Sequence, residues 1–393
     1  MASIKKPTLN VLLISFSASF PPVGADVHSF ECLKQWLTNP HVSFIIVQDA
    51  NPQHTLLDRA PIVPRLETRR RFGDFGSATL RIFANLWVSL RSPRPDITIA
   101  LTHNISDLVP AFLVAKLRGS KLVVYVHHLF PNPSRTPRSI LLSAALWLSQ
   151  LILFLLVLRR TDLVFTPHGQ RAKLKPWIPR TQIVELRNGV SVMAAPRSQE
   201  SKTRFSGSFV GRLSIEKGTA DLVRIWHRVA AVIPDATLAI VGHTEEWLPS
   251  RSSAYDLKKT ILSSTIRRNV AILLNVDDLS KFNILRDSRC FLFPSYEEGW
   301  GIAVTEALAC GVPVVAYDLP AYGLFKHGIT TVPLGNTERF SLEVLKLLQD
   351  SDLHKRMVAR GFDVLNHLEL DWKAIAEQEW LSIGELVQNG ARQ

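Results

Sequence analysis

Short, unbroken apolar runs, each stopped by glycine, proline or a polar loop, recur along the whole chain. In the first half they lie at 11–14, 44–47, 96–101, 122–126 and 163–166. In the second half they lie at 206–210, 238–241, 270–274, 291–293, 312–316 and 330–333. Runs this short, without strict alternation, read as strands buried on both faces. Helix-period segments fall between them. The spacing predicts helices over 27–37, 80–90, 106–118 and 279–286. Another follows residue 218, with Leu222, Ile225, Trp226, Val229 and Ile233 on one face. Strand and helix in alternation predict an α/β protein with parallel sheets and right-handed crossovers. In such sheets ligands gather at the carboxyl ends of the strands.

The most informative stretch is 291–317, FLFPSYEEGWGIAVTEALACGVPVVAY. A buried strand stops at Pro294, and a polar loop carries Glu297, Glu298, Gly299 and Gly301. A helix opens near Ile302 and carries Glu306. Unpaired N–H groups at a helix start favour an anion, and Gly299 and Gly301 allow close backbone approach. Gly211-Arg212-Leu213-Ser214-Ile215-Glu216-Lys217-Gly218 repeats the arrangement after another strand. There two cations and two glycines lie between strand end and helix start, which is phosphate-site chemistry. The plainer reading is a surface turn. Four strands thus deliver Arg212, Gly242, Glu298 and Asp318 at one sheet edge. That convergence predicts a nucleotide cleft between two doubly wound domains.

The pattern P-S-x-x-E-G-x-G-x-x-x-x-E-A-x-A-x-G-x-P-V-V-A at 294–316 resembles the donor-site signature of glycosyltransferase family 4. The resemblance implies the GT-B fold, two Rossmann-like domains facing across a cleft, and retaining chemistry. It implies that Glu298 lies by the donor sugar and Glu306 takes the ribose hydroxyls. It places Arg212 and Lys217 on the donor diphosphate, in G-R-L-x-x-E-K-G. Gly24 matches one of two glycines in a donor loop, with Val23 in place of the other. His127 matches a sugar-contacting histidine, while His128 replaces the expected aspartate. Gly242-His243 and Asn275-Val276 stand in the base-holding loops, the second where glycine is more usual. Under this resemblance the catalytic candidates are Glu298, His127, Arg212 and Lys217. The donor-binding set is Gly24, Arg212, Lys217, Gly242, Glu298, Gly299, Gly301, Ile302 and Glu306. No Asp-x-Asp motif stands in a suitable loop, so no metal and no resident cofactor are expected. The nucleotide-sugar is a co-substrate.

Length changes the picture by suggesting two domains. The 393 residues suit two of about 190 each. Domain one is expected at 1–190 and a linker at 191–203. A second domain would span 204–370, with a terminal helix over 371–393 packing back on the first. Residues 50–75 read as a mobile connection. Charge changes it further. Residues 1–190 hold 23 Lys and Arg against 10 Asp and Glu, so they carry the whole net charge of +12. A basic half meets nucleic acid, anionic lipid or an acidic substrate. No nucleic-acid module is visible, so the anionic membrane surface is the expected partner. Residues 80–90 read as a basic amphipathic helix, with core packing the plainer reading and membrane contact the second. Residues 140–158 carry no charge at all. They are long enough to span a bilayer, yet a strand of the same sheet follows at once, which argues against crossing. Two readings remain: a helix buried on the sheet, or one lying in the membrane interface. Lys5-Lys6 before an apolar run superficially matches a leader, but Asn10 interrupts it and a first strand is the better reading. Cys32, Cys290 and Cys310 have no metal spacing, and Cys290 and Cys310, in or beside apolar runs, read as buried free thiols, which suits a reducing compartment.

The expected activity is hexose transfer from a UDP- or GDP-sugar to a glycan or lipid-linked acceptor. The expected place is the cytoplasmic membrane face, by peripheral or monotopic contact. A phosphorylase, a nucleotide-sugar epimerase and a non-catalytic nucleotide-sugar-binding protein are the alternatives.

Overall fold

The computed structural model describes residues 9–14, 24–48, 62–64, 82–129, 140–191, 204–243, 260–261 and 264–390. The leader reading and most of the 50–75 connection and of the 191–203 linker lie outside them, but Ile62–Pro64, within 50–75, forms a strand paired to the first sheet. The described residues fall into two compact units. One draws on 1–129, 148–188 and 372–393, the other on 130–147 and 189–371.

The first unit is built on β1 (Leu9–Ile14), β2 (Val42–Gln48), β3 (Ile62–Pro64), β4 (Ile97–Ala100), β5 (Lys121–Tyr125), β6 (Leu163–Pro167) and β7 (Gln182–Leu186). They form a seven-stranded sheet in the order β3-β2-β1-β4-β5-β6-β7. Every neighbouring pair is parallel. Both faces are covered, which is why the strands read as unbroken apolar runs. Val11, Leu13, Ile46, Ile99, Val123, Tyr125 and Phe165 point to one face. Leu12, Ile14, Val47, Ala100, Val124 and Val164 point to the other. Helices Gly24–Trp36 and Trp372–Gly390 cover the first face through Cys32, Leu33, Trp36, Ile375, Ala376 and Ile383. The indole of Trp36 donates to the Ala376 carbonyl at 2.9 Å.

Two helical expectations in this unit need refinement. The helix expected at 80–90 occupies 82–91, and its buried side includes polar Asn85 and Ser89. Asn85 donates to the Ser106 carbonyl at 2.8 Å. Trp87 is 59% exposed, with the Arg91 guanidinium 3.6 Å above its ring. The apolar helix Ile140–Leu156 is buried on one side only. From Leu148 onward, Phe154, Val157 and Leu158 are buried in the core of the unit. Leu148, Ile152, Leu155 and Leu156 remain exposed. Among the described residues no helix is long and apolar enough to cross a membrane.

The second unit holds β8 (Gly207–Arg212), β9 (Leu238–His243), β10 (Val270–Leu274), β11 (Phe291–Phe293), β12 (Val314–Tyr317) and β13 (Thr330–Val332). The order is β10-β9-β8-β11-β12-β13, again all parallel. That is the doubly wound order with its reversal between β8 and β11. Helix Thr219–Val232 buries Leu222, Val223, Ile225, Trp226 and Val229, close to the face expected from its spacing. Ile233 falls just past the helix end and is only partly buried. The architecture is α/β, two Rossmann-like units of the GT-B fold. The three cysteines are buried and free.

Candidate active site

Strand order fixes where the second unit can hold a ligand. At the switch point the crossovers from β8 and β11 leave on opposite faces, so a crevice opens at their carboxyl ends. Arg212 is the last residue of β8 and is exposed. A single 3-10 turn, Ile215–Lys217, follows, and Gly218 then starts the next helix with φ +68°. From β11 the chain turns at Pro294 into the acidic loop, and Gly301 caps helix Ile302–Ala309. The two loops are stitched together. The Tyr296 N–H donates to the Glu216 carbonyl at 2.8 Å, and the Ser295 hydroxyl donates to the same oxygen at 3.3 Å.

This stitching brings Lys217 onto Glu298. The ammonium donates to the carboxylate Oε1, with the side chains only 15% and 9% exposed. A residue of the β8 loop and one of the β11 loop therefore meet across the switch point, although 81 positions separate them. Gly218 makes the approach possible. A Cβ built there would lie 1.9 Å from the Pro294 carbonyl oxygen. The left-handed φ alone costs a side chain on the order of 1 kcal/mol or more. Gly218→Ala is therefore expected to lower stability by roughly 2–4 kcal/mol, adding overpacking to backbone strain. A urea midpoint equal to the parent's would show that the two loops are not held this closely.

Glu306 occupies the second turn of helix Ile302–Ala309 and is buried. Its Oε1 accepts from Lys281 at 3.0 Å. Lys281 also reaches Asp278 at 3.0 Å. It stands in the first turn of helix Asp278–Arg286, which Asp277 caps by accepting the Ser280 N–H at 2.7 Å. Burial pushes the Glu306 carboxyl above the ordinary carboxylate range, and Lys281 holds it back part of the way. Burial alone would lower the Lys281 ammonium, but Glu306 and Asp278 more than offset this and raise it. Lys281 was not among the residues expected from the sequence. It is one lysine on a polar helix, and only the three-dimensional meeting with Glu306 distinguishes it.

The remaining expected residues are placed as follows. Gly299 is in the loop, and Ile302 opens the helix. The first N–H groups of that helix have no partner within it. Gly242 is within β9, and a Cβ there would come 2.5 Å from Leu213. Its glycine is thus required by packing, whatever it also does for a ligand. Asn275 follows β10 with φ +54°, where most residues are disfavoured and asparagine is tolerated. Its N–H donates to the Gly242 carbonyl at 2.9 Å. This explains asparagine where glycine was expected. Asp318 directly follows β12 and pairs with Lys326 at 2.7 Å.

Gly24 and His127 belong to the first unit. Gly24 is the first residue of its helix. His127 follows β5, its ring stacked on Tyr125 at 5.9 Å. Its Nε2 lies 3.0 Å from the Leu101 carbonyl. Burial, and then neighbouring His28, push its pKa down to about 3. The imidazole is therefore neutral at physiological pH, and with its Nε2–H given to the Leu101 carbonyl its Nδ1 is left to accept a hydrogen bond.

Residues 194–364 match the family model described as glycosyl transferases group 1. An uncharacterized glycosyltransferase of Methanocaldococcus jannaschii is 26% identical over 349 residues, 73% of this chain and 80% of the relative. A phosphatidyl-myo-inositol mannosyltransferase of Mycobacterium leprae is 29% identical over 209 residues. That alignment covers 50% of this chain and 51% of the relative, so the chain spans about half of that protein. Among solved structures, Anabaena HepE in complex with UDP and glucose superposes with a TM-score of 0.73 at 17% identity. That superposition covers 96% of this chain and all of the other.

Proposed function

We propose that this transferase, whose residues 194–364 match the group 1 glycosyltransferase model, moves a hexose from a nucleoside-diphosphate sugar to a lipid or lipid-linked acceptor with retention. We place it in glycosyltransferase family 4. The observation that carries the reading is the meeting of Lys217 with Glu298 at the switch point. Transfer breaks the bond between the anomeric carbon and the diphosphate oxygen. Negative charge grows on the leaving diphosphate and positive charge on the sugar. Arg212, Lys217 and the N-terminus of helix Ile302–Ala309 stabilise the first. Glu298 steadies the sugar, and Glu306 accepts the ribose hydroxyls. Neutral His127 contributes a hydrogen bond to the sugar. With those cations supplied by side chains, the diphosphate needs no metal and the enzyme no resident cofactor.

Three things support a membrane acceptor. The mycobacterial relative is named for a phospholipid substrate. The first half carries the positive charge. Helix Ile140–Leu156 leaves Leu148, Ile152, Leu155 and Leu156 exposed just before exposed Arg159 and Arg160. Apolar residues beside cations suit the inner, anionic membrane face. The test is a panel of UDP- and GDP-sugars scored by nucleotide release, with and without anionic lipid vesicles. Release from one donor, raised by the vesicles, is expected. Silence across the panel with lipid present would defeat the reading.

A further inference from the structure

The first unit contains a second polar cluster that the transfer chemistry does not use. His28 and Cys32 lie one turn apart on one face of helix Gly24–Trp36, and Glu379 comes from the C-terminal helix, 351 positions after His28. All three are buried, and Glu379 is only 3% exposed. His28 and Glu379 each have one atom engaged elsewhere, although Glu379 Oε2 also lies 3.4 Å from His28 Nε2. His28 Nδ1 lies 3.2 Å from Asn188 Oδ1, and Tyr125 donates its hydroxyl to Glu379 Oε2 at 2.9 Å. The inner atoms are left facing one another. His28 Nε2 is 3.1 Å from Glu379 Oε1 and 3.6 Å from Cys32 Sγ. Although buried, Glu379 Oε1 has no hydrogen-bond partner among the described residues. The three ligand atoms lie within 4.8 Å of one another.

We propose that His28, Cys32 and Glu379 bind a zinc ion that fastens the C-terminal helix to helix Gly24–Trp36. The two distances from His28 Nε2, 3.1 Å and 3.6 Å, are close to what it needs. Tetrahedral zinc with bonds of about 2.0–2.3 Å spans ligand edges of roughly 3.3–3.6 Å. With Nδ1–H donated to the Asn188 side-chain oxygen, His28 Nε2 presents its lone pair inward. That is the outer-shell arrangement that orients a metal-bound histidine, and Tyr125 does the same for the carboxylate. A thiolate and a carboxylate balance the charge of a divalent ion, and sulfur with imidazole selects zinc over magnesium or calcium. Binding releases the Cys32 thiol proton to solvent. The fourth position goes to water. The ion has a structural role, separate from the diphosphate chemistry of the other unit.

The test is metal analysis of the whole purified protein, incubated with zinc chloride and dialysed. About one zinc per chain is expected, with loss of the ion in Cys32→Ser and Glu379→Gln. Tyr125→Phe, which keeps the ring, should retain zinc but bind it about 10–100-fold more weakly. Chelation should lower the melting temperature of the parent and leave that of Cys32→Ser unmoved. In cobalt-substituted protein a sulfur-to-metal absorption band should be present in the parent and absent from Cys32→Ser. The proposal is overturned if the parent takes up no zinc, or if Cys32→Ser keeps the same metal content as the parent.

Discussion

Lys217→Met is expected to lower turnover by about 10²–10³-fold, the usual cost of removing one group placed for a developing oxyanion. Methionine keeps most of the stem and its contact with the Phe293 ring, near which the ammonium lies at 5.5 Å. It removes the charge alone. Two effects then separate. The diphosphate loses a cation in the transition state, which lowers kcat. Glu298, 9% exposed, also loses its counter-charge, and breaking such a pair typically costs about 3–5 kcal/mol when it is fully buried. The urea midpoint should therefore fall too, by less than that limit, because both groups retain some solvent. Combining Lys217→Met with Glu298→Gln should recover part of the stability and none of the turnover. Turnover within threefold of the parent for the single variant would remove Lys217 from the proposed chemistry.

Lys281→Met is expected to make donor binding depend on pH. In the parent, burial raises the Glu306 carboxyl and Lys281 opposes that rise. The other groups near this pair are Asp278 on the lysine's own helix, Cys310 just past the glutamate's helix, and Arg286. Without the ammonium the carboxyl is raised further, so it takes up a proton at higher pH. A protonated carboxyl can no longer accept two ribose hydroxyls. Donor KM should therefore climb as pH is lowered, reaching about tenfold over the parent, in line with one charged hydrogen bond. The parent's donor KM should stay level over the same range, and kcat should change little in either protein. Lys281→Arg should behave like the parent. A 2′-deoxyribose donor should blunt the difference. Parallel KM profiles for parent and variant would show that Lys281 does not serve Glu306.

Much of this was legible in the chain because parallel strands buried on both faces leave a pattern that little else produces. The strand cores of the second unit follow the apolar runs almost residue for residue. Boundaries moved where glycine was misleading. Gly211 and Gly242 were expected in loops, yet both lie inside strands, Gly242 because Leu213 fills the space a side chain would take. Glu298 and Glu306 could be found because glycines and a helix start mark their surroundings. Their partners could not be found alike. Lys217 stands in the same motif logic, whereas Lys281 is remote from Glu306 in sequence and has no local signal. Cys32 showed no metal-ligand spacing. Nothing near it forecasts Glu379, since the contact depends on how the last helix lands. The helix expected at 80–90 is present at 82–91, but its spacing did not show that Trp87 stays exposed with Arg91 above its ring.

The placement of Trp372–Gly390 has a consequence for how the chain matures. The second unit is drawn from a nearly continuous length of chain and can close as soon as that length is made. The first unit, although begun earlier, lacks part of one apolar layer until residues near 383 leave the ribosome. The usual amino-to-carboxyl order of domain completion is therefore reversed here. Until then Trp36 and its neighbours stay uncovered, which makes the nascent first unit the stage at which holdase chaperones have most to grip.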